Sequence, residues 1–112
     1  MGKSQRTKGH SFERWVARSF NEAMPGLGAK RGFQTRGGAG EDPDVITGIW
    51  DIECKVGKKP PIRAALVGAV KYCKPGHVPL VVIKEDRKTP FVVMVLDDWL
   101  EMASEWWEMR NE

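Results

Sequence analysis

The sequence predicts a single α/β domain in which helices flank a mixed β-sheet. Its 112 residues suffice for one domain with one core. Three stretches carry apolar residues every three or four positions, as amphipathic helices do, and short β-rich apolar runs lie between them. The predicted order is α-β-β-β-α-β-β-α. A helix that joins the third strand to the fourth implies a mixed sheet with helices packed on its faces.

The first helix is predicted to begin at Ser11, a suitable N-cap, and to end at Met24-Pro25-Gly26. Its apolar side repeats at intervals of three and four residues through Phe12, Val16, Phe20 and Ala23. Residues 1–9 are polar and basic. We therefore expect a flexible basic arm over residues 1–9 and one folded domain over residues 10–112.

Three strands are predicted over residues 30–36, 44–47 and 49–56, with a glycine-rich loop at 37–40 and a turn at Gly48. The third strand alternates between an apolar and a polar side. Its apolar side is Trp50, Ile52 and Cys54, and its polar side is Asp51, Glu53 and Lys55. This polar side is the candidate site of chemistry.

The second half predicts a helix over residues 62–73, strands over 80–84 and 91–96, and a terminal helix capped by Asp97 or Asp98. His77 is predicted as a turn residue. Tryptophans 15, 50 and 99 fit core positions. Trp106 and Trp107 are adjacent and cannot both face inward, so one is expected to be exposed or to lie in an interface.

Composition and cysteine content favour a cytoplasmic protein. The apolar runs are far shorter than the roughly 20 residues of a membrane span, and no secretory signal is visible at the N-terminus. Cys54 and Cys73 fit neither a zinc site nor a disulfide framework. Both are expected to be small, buried, reduced residues.

Charge is distributed unevenly along the chain. Residues 1–40 contain eight Lys or Arg and two acidic residues, a balance of +6, whereas residues 97–112 contain one Arg and six acidic residues, a balance of −5. A basic front half indicates a polyanionic partner such as nucleic acid. The alternative is that these charges only form solvated faces.

Asp44, Glu53 and Lys55 form the candidate catalytic set. If the second and third strands pair through the Thr47-Gly48 turn, Asp44 lies near Glu53, and Lys55 shares the side of Glu53. Two carboxylates and the backbone carbonyl of Cys54 could hold Mg²⁺, which would activate water to attack a phosphodiester. The alternative is an ordinary solvent-facing strand, because a bare Glu-x-Lys pattern is common.

Pro43-Asp44 followed by Glu53-Cys54-Lys55 resembles the P-D…(D/E)-x-K signature of the restriction-endonuclease-like nuclease superfamily. The segment Lys8-Gly9-His10-Ser11-Phe12-Glu13-Arg14 resembles the first helix of archaeal-type and phage Holliday junction resolvases within it. The resemblance covers about residues 6–102. The Glu-x-Lys element alone is weakly specific, but the ordered set of motifs is much more so.

The resemblance implies a three-layer restriction-endonuclease-like core, an Mg²⁺-dependent endonuclease in which Mn²⁺ substitutes, and a homodimer in a bacterial or phage-infected cell. Asp44 and Glu53 would bind the metal, Lys55 would be the catalytic lysine, and Glu13 would complete the site. Without the resemblance, Glu13 reads as a first-turn acid favoured by the helix dipole. Relatives often carry glutamine where this chain has Gly68.

Six basic side chains are candidate DNA contacts. They are Lys3, Arg6, Lys8, His10, Lys58 and Lys59. The alternative is a solvated arm and loop. We expect a structure-selective nuclease, most like a Holliday junction resolvase, acting on branched or four-way DNA. Two rivals stay open: a nicking or structure-selective nuclease with another DNA target, and a DNA-binding module without catalysis.

Overall fold

The structure, a computed structural model, describes residues 3–33 and 42–112. Its elements follow one another as one helix, three strands, a helix, two strands and a helix. They are α1 (Lys3–Ala23), β1 (Lys30–Arg31), β2 (Val45–Ile46), β3 (Trp50–Gly57), α2 (Ile62–Tyr72), β4 (Val78–Glu85), β5 (Phe91–Val93) and α3 (Leu96–Arg110). The predicted α/β class is confirmed.

The five strands form one mixed sheet in the order β1-β2-β3-β4-β5. The long central strands β3 and β4 run parallel, and the other neighbours are antiparallel. The parallel pair follows from the connection, because α2 carries the chain back across the sheet between the two strands. No helix in the described part of the chain is long and apolar enough to cross a membrane.

The larger core lies between α1 and one side of the sheet. Phe12, Val16 and Ala17 of α1 pack there against the buried side chains of Val45, Ile52, Cys54, Leu80 and Val82. These strand residues alternate with those of the other side, as the two-residue period of a strand requires. Cys54 is a buried free thiol, as predicted.

A smaller core lies on the opposite side of the sheet, beneath α2. Ala65 and Ala69 of the helix pack against Val81 and Ile83 of β4. Small residues on the buried face let α2 lie close to the sheet. The sheet is therefore covered by a helix on each side, and β4 contributes side chains to both cores.

The start of α1 differs from the prediction. The helix begins at Lys3, eight residues before Ser11, so Ser11 is an internal residue and the prediction that it caps the helix is wrong. Residues 3–9, assigned from sequence to a basic arm, form the first turns of this helix. Apolar periodicity could not reveal them, because no core lies beneath these turns.

Several predicted boundaries also shift. Strand β1 ends at Arg31, and residues 34–41, which include the predicted glycine loop, lie outside the described residues. Strand β5 ends at Val93, and α3 begins at Leu96 with Val95 as its N-cap. The prediction of Asp97 or Asp98 as the cap is therefore wrong. Both stand in the first helical turn, where carboxylates interact favourably with the helix dipole.

The tryptophans are less buried than predicted. Trp50 packs at the edge of the larger core, but Trp15 is 41% exposed and Trp99 is 52% exposed, so their assignment to the core is wrong. Trp106 and Trp107 are both exposed. No residue of α3 is buried.

Candidate active site

The tight connection between β2 and β3 positions the predicted carboxylates. Val45 lies opposite Ile52, and the next residue, Ile46, lies opposite Asp51. Thr47 holds the turn, since its hydroxyl oxygen accepts the N–H of Trp50 at 2.8 Å, and Gly48 has the positive φ of 86° that the turn needs. The predicted pairing of the two strands is confirmed, and the register continues to Asp44 opposite Glu53.

Asp44 and Glu53 meet in the structure. Oδ2 of Asp44 accepts the backbone N–H of Cys54 at 2.9 Å, which fixes this carboxylate beside β3. Burial, followed by the charge of Asp44 and a hydrogen bond to it, raises the pKa of Glu53 to about 7. Lys55 acts in the opposite direction. Glu53 is therefore partly protonated near neutral pH, because its burial and the neighbouring Asp44 charge both favour its neutral form.

Glu13 reaches the same site from α1. It is buried, and its Oε1 accepts the Nε–H of Arg31 at 2.9 Å. Burial raises the pKa of Glu13, the Arg31 hydrogen bond opposes this, and the charge of Asp44 raises it further. Because α1 begins at Lys3, Glu13 lies mid-helix, and its interpretation as a first-turn acid is wrong. No motif or periodicity in the sequence points to Arg31 as a partner of Glu13.

Lys55 and Glu53 line one cleft beside α2, and they lie on the same side of β3. The other lining residues come from the start of α2 and from one of its faces. They are Pro61, Ala64, Ala65, Gly68, Ala69 and Tyr72. Gly68 therefore lies beside the predicted catalytic strand.

The backbone around Asp44 is held from two directions. The N–H of Gly32 donates to the Asp44 carbonyl at 2.9 Å, and β1 lies so close there that a Cβ on Gly32 would overlap the Pro43 carbonyl. Asp42 accepts the N–H of Phe33 and the ammonium of Lys74. These two hydrogen bonds, that from Phe33 first, lower the pKa of Asp42.

A buried Asp51–His77 pair was not predicted from the sequence. Asp51 lies two residues before Glu53 on the same side of β3. Asp51 is 4% exposed; Nδ1 of His77 lies 2.7 Å from its Oδ1, and the Lys74 N–H donates to its Oδ2 at 2.8 Å. His77 is thus more than a turn residue, because it ties the start of β4 to β3.

The two cysteines are not activated nucleophiles. Burial and then the charge of Asp44 raise the pKa of the Cys54 thiol far above its ordinary value. Cys73 is partly exposed, so its predicted burial is wrong, and desolvation and Asp51 raise its pKa to about 11. A nucleophilic cysteine needs a lowered pKa.

The predicted DNA contacts fall in two places. Arg6, Lys8 and His10 lie on the first three turns of α1, which Lys3 begins, and Lys58 and Lys59 are exposed directly after β3. The charge of His10 lowers the pKa of Glu13, which places His10 near the carboxylates. Lys8 already pairs with Asp86 at 2.6 Å.

The residues described here form no metal-binding group of three or more His, Cys, Asp or Glu side chains. A bound cation would therefore rest on Asp44 and Glu53, with backbone oxygen and water completing its shell. The N–H of Cys54 points to Asp44, and its carbonyl lies on the same side of the strand, because both groups of a strand residue point together. This donor set suits Mg²⁺, which keeps several waters.

Comparison with known proteins gave no match to a family model, to a characterised protein or to a solved structure.

Proposed function

We propose that this protein is a metal-dependent endonuclease that hydrolyses phosphodiester bonds in DNA. The observation that carries the proposal is the Asp44–Glu53 pair, in which burial and then the charge of Asp44 raise the pKa of Glu53 to about 7, while Lys55 lines the same cleft. A pair of carboxylates that destabilise each other is a site prepared for a cation. Perturbed acids in a cleft are characteristic of functional sites.

The proposed cofactor is Mg²⁺, with Mn²⁺ as a substitute. Asp44 and Glu53 would hold it, with the Cys54 carbonyl as a backbone ligand. When bound, such an ion polarises a phosphoryl oxygen and lowers the pKa of a bound water. Glu13 would lie just outside the atoms that bind the metal, because its carboxylate is already paired with Arg31.

The protein's own residues would orient the reacting groups. The hydrogen bond from Cys54 fixes Asp44, and the close approach of β1 at Gly32 fixes the backbone on the other side of Asp44. Lys55 would place a positive charge beside the developing charge on the phosphate. These contacts would set the geometry before DNA arrives, which is what catalysis by orientation requires.

DNA is the proposed substrate, and a branched or four-way junction is the proposed form. Arg6, Lys8, Lys58 and Lys59 are exposed cations on elements that adjoin the site, and they would contact phosphates without reading sequence. The preference for a junction, the restriction-endonuclease-like core and the homodimer rest on the resemblance of the sequence motifs. A bacterial or phage-infected cytoplasm is proposed on the same basis.

The test is cleavage of a supercoiled plasmid and of a synthetic four-way junction, in Mg²⁺ and in EDTA. Asp44→Asn, Glu53→Gln and Lys55→Ala should each lower the rate by roughly 100-fold or more, since each removes charge worth several kcal/mol in the transition state. DNA binding should stay near that of the unchanged protein.

Glu85→Gln is the matched control, because Glu85 is a surface carboxylate that pairs only locally with Lys88. It should cleave at the original rate. Full Mg²⁺-dependent cleavage by Asp44→Asn would contradict the assigned site. Tight DNA binding without cleavage in any metal would instead favour the DNA-binding module, and cleavage of the plasmid alone would favour the nicking nuclease.

A further inference from the structure

The cleft beside Glu53 and Lys55 is small, and its α2 wall consists of alanines, Gly68 and one aromatic residue, Tyr72. Its volume is about 270 Å³, near the lower end of the roughly 300–1,000 Å³ of small-molecule pockets. It is too small for a double helix. Ala64, Gly68 and Tyr72 are spaced four residues apart on α2 and therefore lie in one row along its wall.

On the α2 wall of the cleft, Gly68 leaves space at the centre and Tyr72 places an aromatic ring at the end. A Cβ built on Gly68 would meet no atom within 4 Å, so the helix leaves empty space above Glu53. The Tyr72 ring is 74% exposed at the end of the row. Nζ of Lys71 lies 5.3 Å from the centre of that ring, so a positive charge lies over the aromatic surface.

We propose that the cleft receives one unpaired nucleotide of the DNA substrate, next to the phosphate that is cut, and that its base stacks on Tyr72. This inference rests on the proposed nuclease function and specifies its substrate as DNA with an unstacked base. Stacking on an exposed aromatic ring tolerates any base, because every base has a π-face. Lys55 and Lys71 would neutralise the phosphates on either side of that nucleotide.

The experiment compares two DNA duplexes in EDTA. One carries a single unpaired 2-aminopurine nucleotide, whose fluorescence falls on stacking, and the other is fully paired. The unchanged protein should quench the unpaired base and bind that DNA at least about 10-fold more tightly than the paired duplex. Tyr72→Ala should abolish the quenching and reduce the preference by about 5- to 150-fold, the range for loss of one stacked base.

Three variants separate stacking from general damage. Tyr72→Phe keeps the ring and should retain both the quenching and the preference. Val67→Ala changes an exposed residue of α2 that does not line the cleft, and it should behave like the unchanged protein. Gly68→Leu adds a bulky side chain to the cleft at a position where a Cβ meets no atom within 4 Å, and it should lose the preference for the unpaired base.

Two results would overturn the inference: no quenching by the unchanged protein, or a preference that Tyr72→Ala leaves intact. Cleavage in Mg²⁺ tests the nuclease function separately. Mg²⁺-dependent cleavage with no effect of Tyr72→Ala overturns the nucleotide pocket alone. Quenching that depends on Tyr72 in a protein that never cleaves supports the pocket and overturns the nuclease.

Discussion

At the scale of single residues, the neighbouring carboxylates of the candidate site lower the stability of the folded protein. Glu53 is buried close to Asp44 and within reach of the charge of Glu13, and burial and both of these carboxylates favour its neutral form. Only Lys55 favours the ionised form. Function at such a site is gained at the expense of folding free energy, a common relation between activity and stability.

This cost predicts a pH-dependent stability. The pKa of Glu53 is about 7 in the folded protein against 4.5 ordinarily, so the folded state binds more protons between these values. The free energy of unfolding should therefore fall as pH rises from about 4.5 to 7 and level off above. Glu53→Gln should remove this fall and be more stable by about 1–2 kcal/mol at pH 8, after discounting for solvent screening.

Urea denaturation in EDTA at several pH values between 5 and 8 measures the difference between the two proteins. Glu85→Gln serves again as the control, and its difference from the unchanged protein should not vary with pH. When Mg²⁺ replaces EDTA, the unchanged protein should become more stable and Glu53→Gln should not, because a bound cation relieves the repulsion between Asp44 and Glu53. A constant difference between Glu53→Gln and the unchanged protein across this pH range would refute the assignment.

Alanine substitutions at two glycines near the site should have opposite effects on the free energy of unfolding. A Cβ at Gly32 would lie 1.9 Å from the Pro43 carbonyl oxygen, so Gly32→Ala must push apart β1 and the segment that carries Asp44. We expect a loss of about 1–3 kcal/mol in unfolding free energy, as for an overpacked core, and slower cleavage. Gly68→Ala meets open space inside a helix and should stabilise by about 0.5–1 kcal/mol.

Thermal and urea denaturation of both variants, with cleavage assays on the same preparations, check this pair. Both substitutions add the same methyl group, at Gly32 against a backbone carbonyl and at Gly68 into open space on a helix. A Gly32→Ala protein that is as stable and as active as the original would show that β1 does not hold Asp44 in place.

At the scale of elements, the turn between β2 and β3 was predictable because its signal is local. Glycine at 48 and the alternation of β3 fix the register, and the register brings Asp44 to Glu53. Helix α2 and the parallel pair were predictable for a similar reason. Each depends on a period or a connection that a single stretch of sequence carries.

Other elements depend on contacts that the sequence does not display. The first turns of α1 have no apolar stripe to mark them, so their helical conformation was missed. Asp51 alternates like a solvent-facing residue but is buried, because His77 and the Lys74 N–H from the next loop satisfy its carboxylate. Arg31 pairs with Glu13 over a separation of 18 residues. Polar pairs between residues far apart in the chain produce no periodic pattern in the sequence from which they could be predicted.

At the scale of the whole molecule, α3 presents an apolar face that the described parts of the chain, residues 3–33 and 42–112, leave exposed. Its exposed large side chains on that face are Leu96, Trp99, Leu100, Trp106 and Trp107. The three tryptophans alone offer roughly 400 Å² at about 250 Å² for a complete ring system. That is half of the about 800 Å² that each partner buries in a standard interface. Acidic residues occupy the opposite face of the helix.

We therefore expect the homodimer to form through this face of α3. An isologous contact would bring the apolar faces of both copies together and point the acidic faces apart, which reduces the repulsion between the two segments of charge −5. Trp106→Glu and Trp107→Glu should each shift sedimentation equilibrium toward the monomer by at least about 10-fold in Kd, as for central aromatic interface residues.

Glu101→Gln on the acidic face is the control and should leave the dimer unchanged. Circular dichroism should show the same helix content in all variants, because no side chain of α3 is buried in the single chain. If both tryptophan variants are folded and sediment like the original protein, α3 is not the dimer interface.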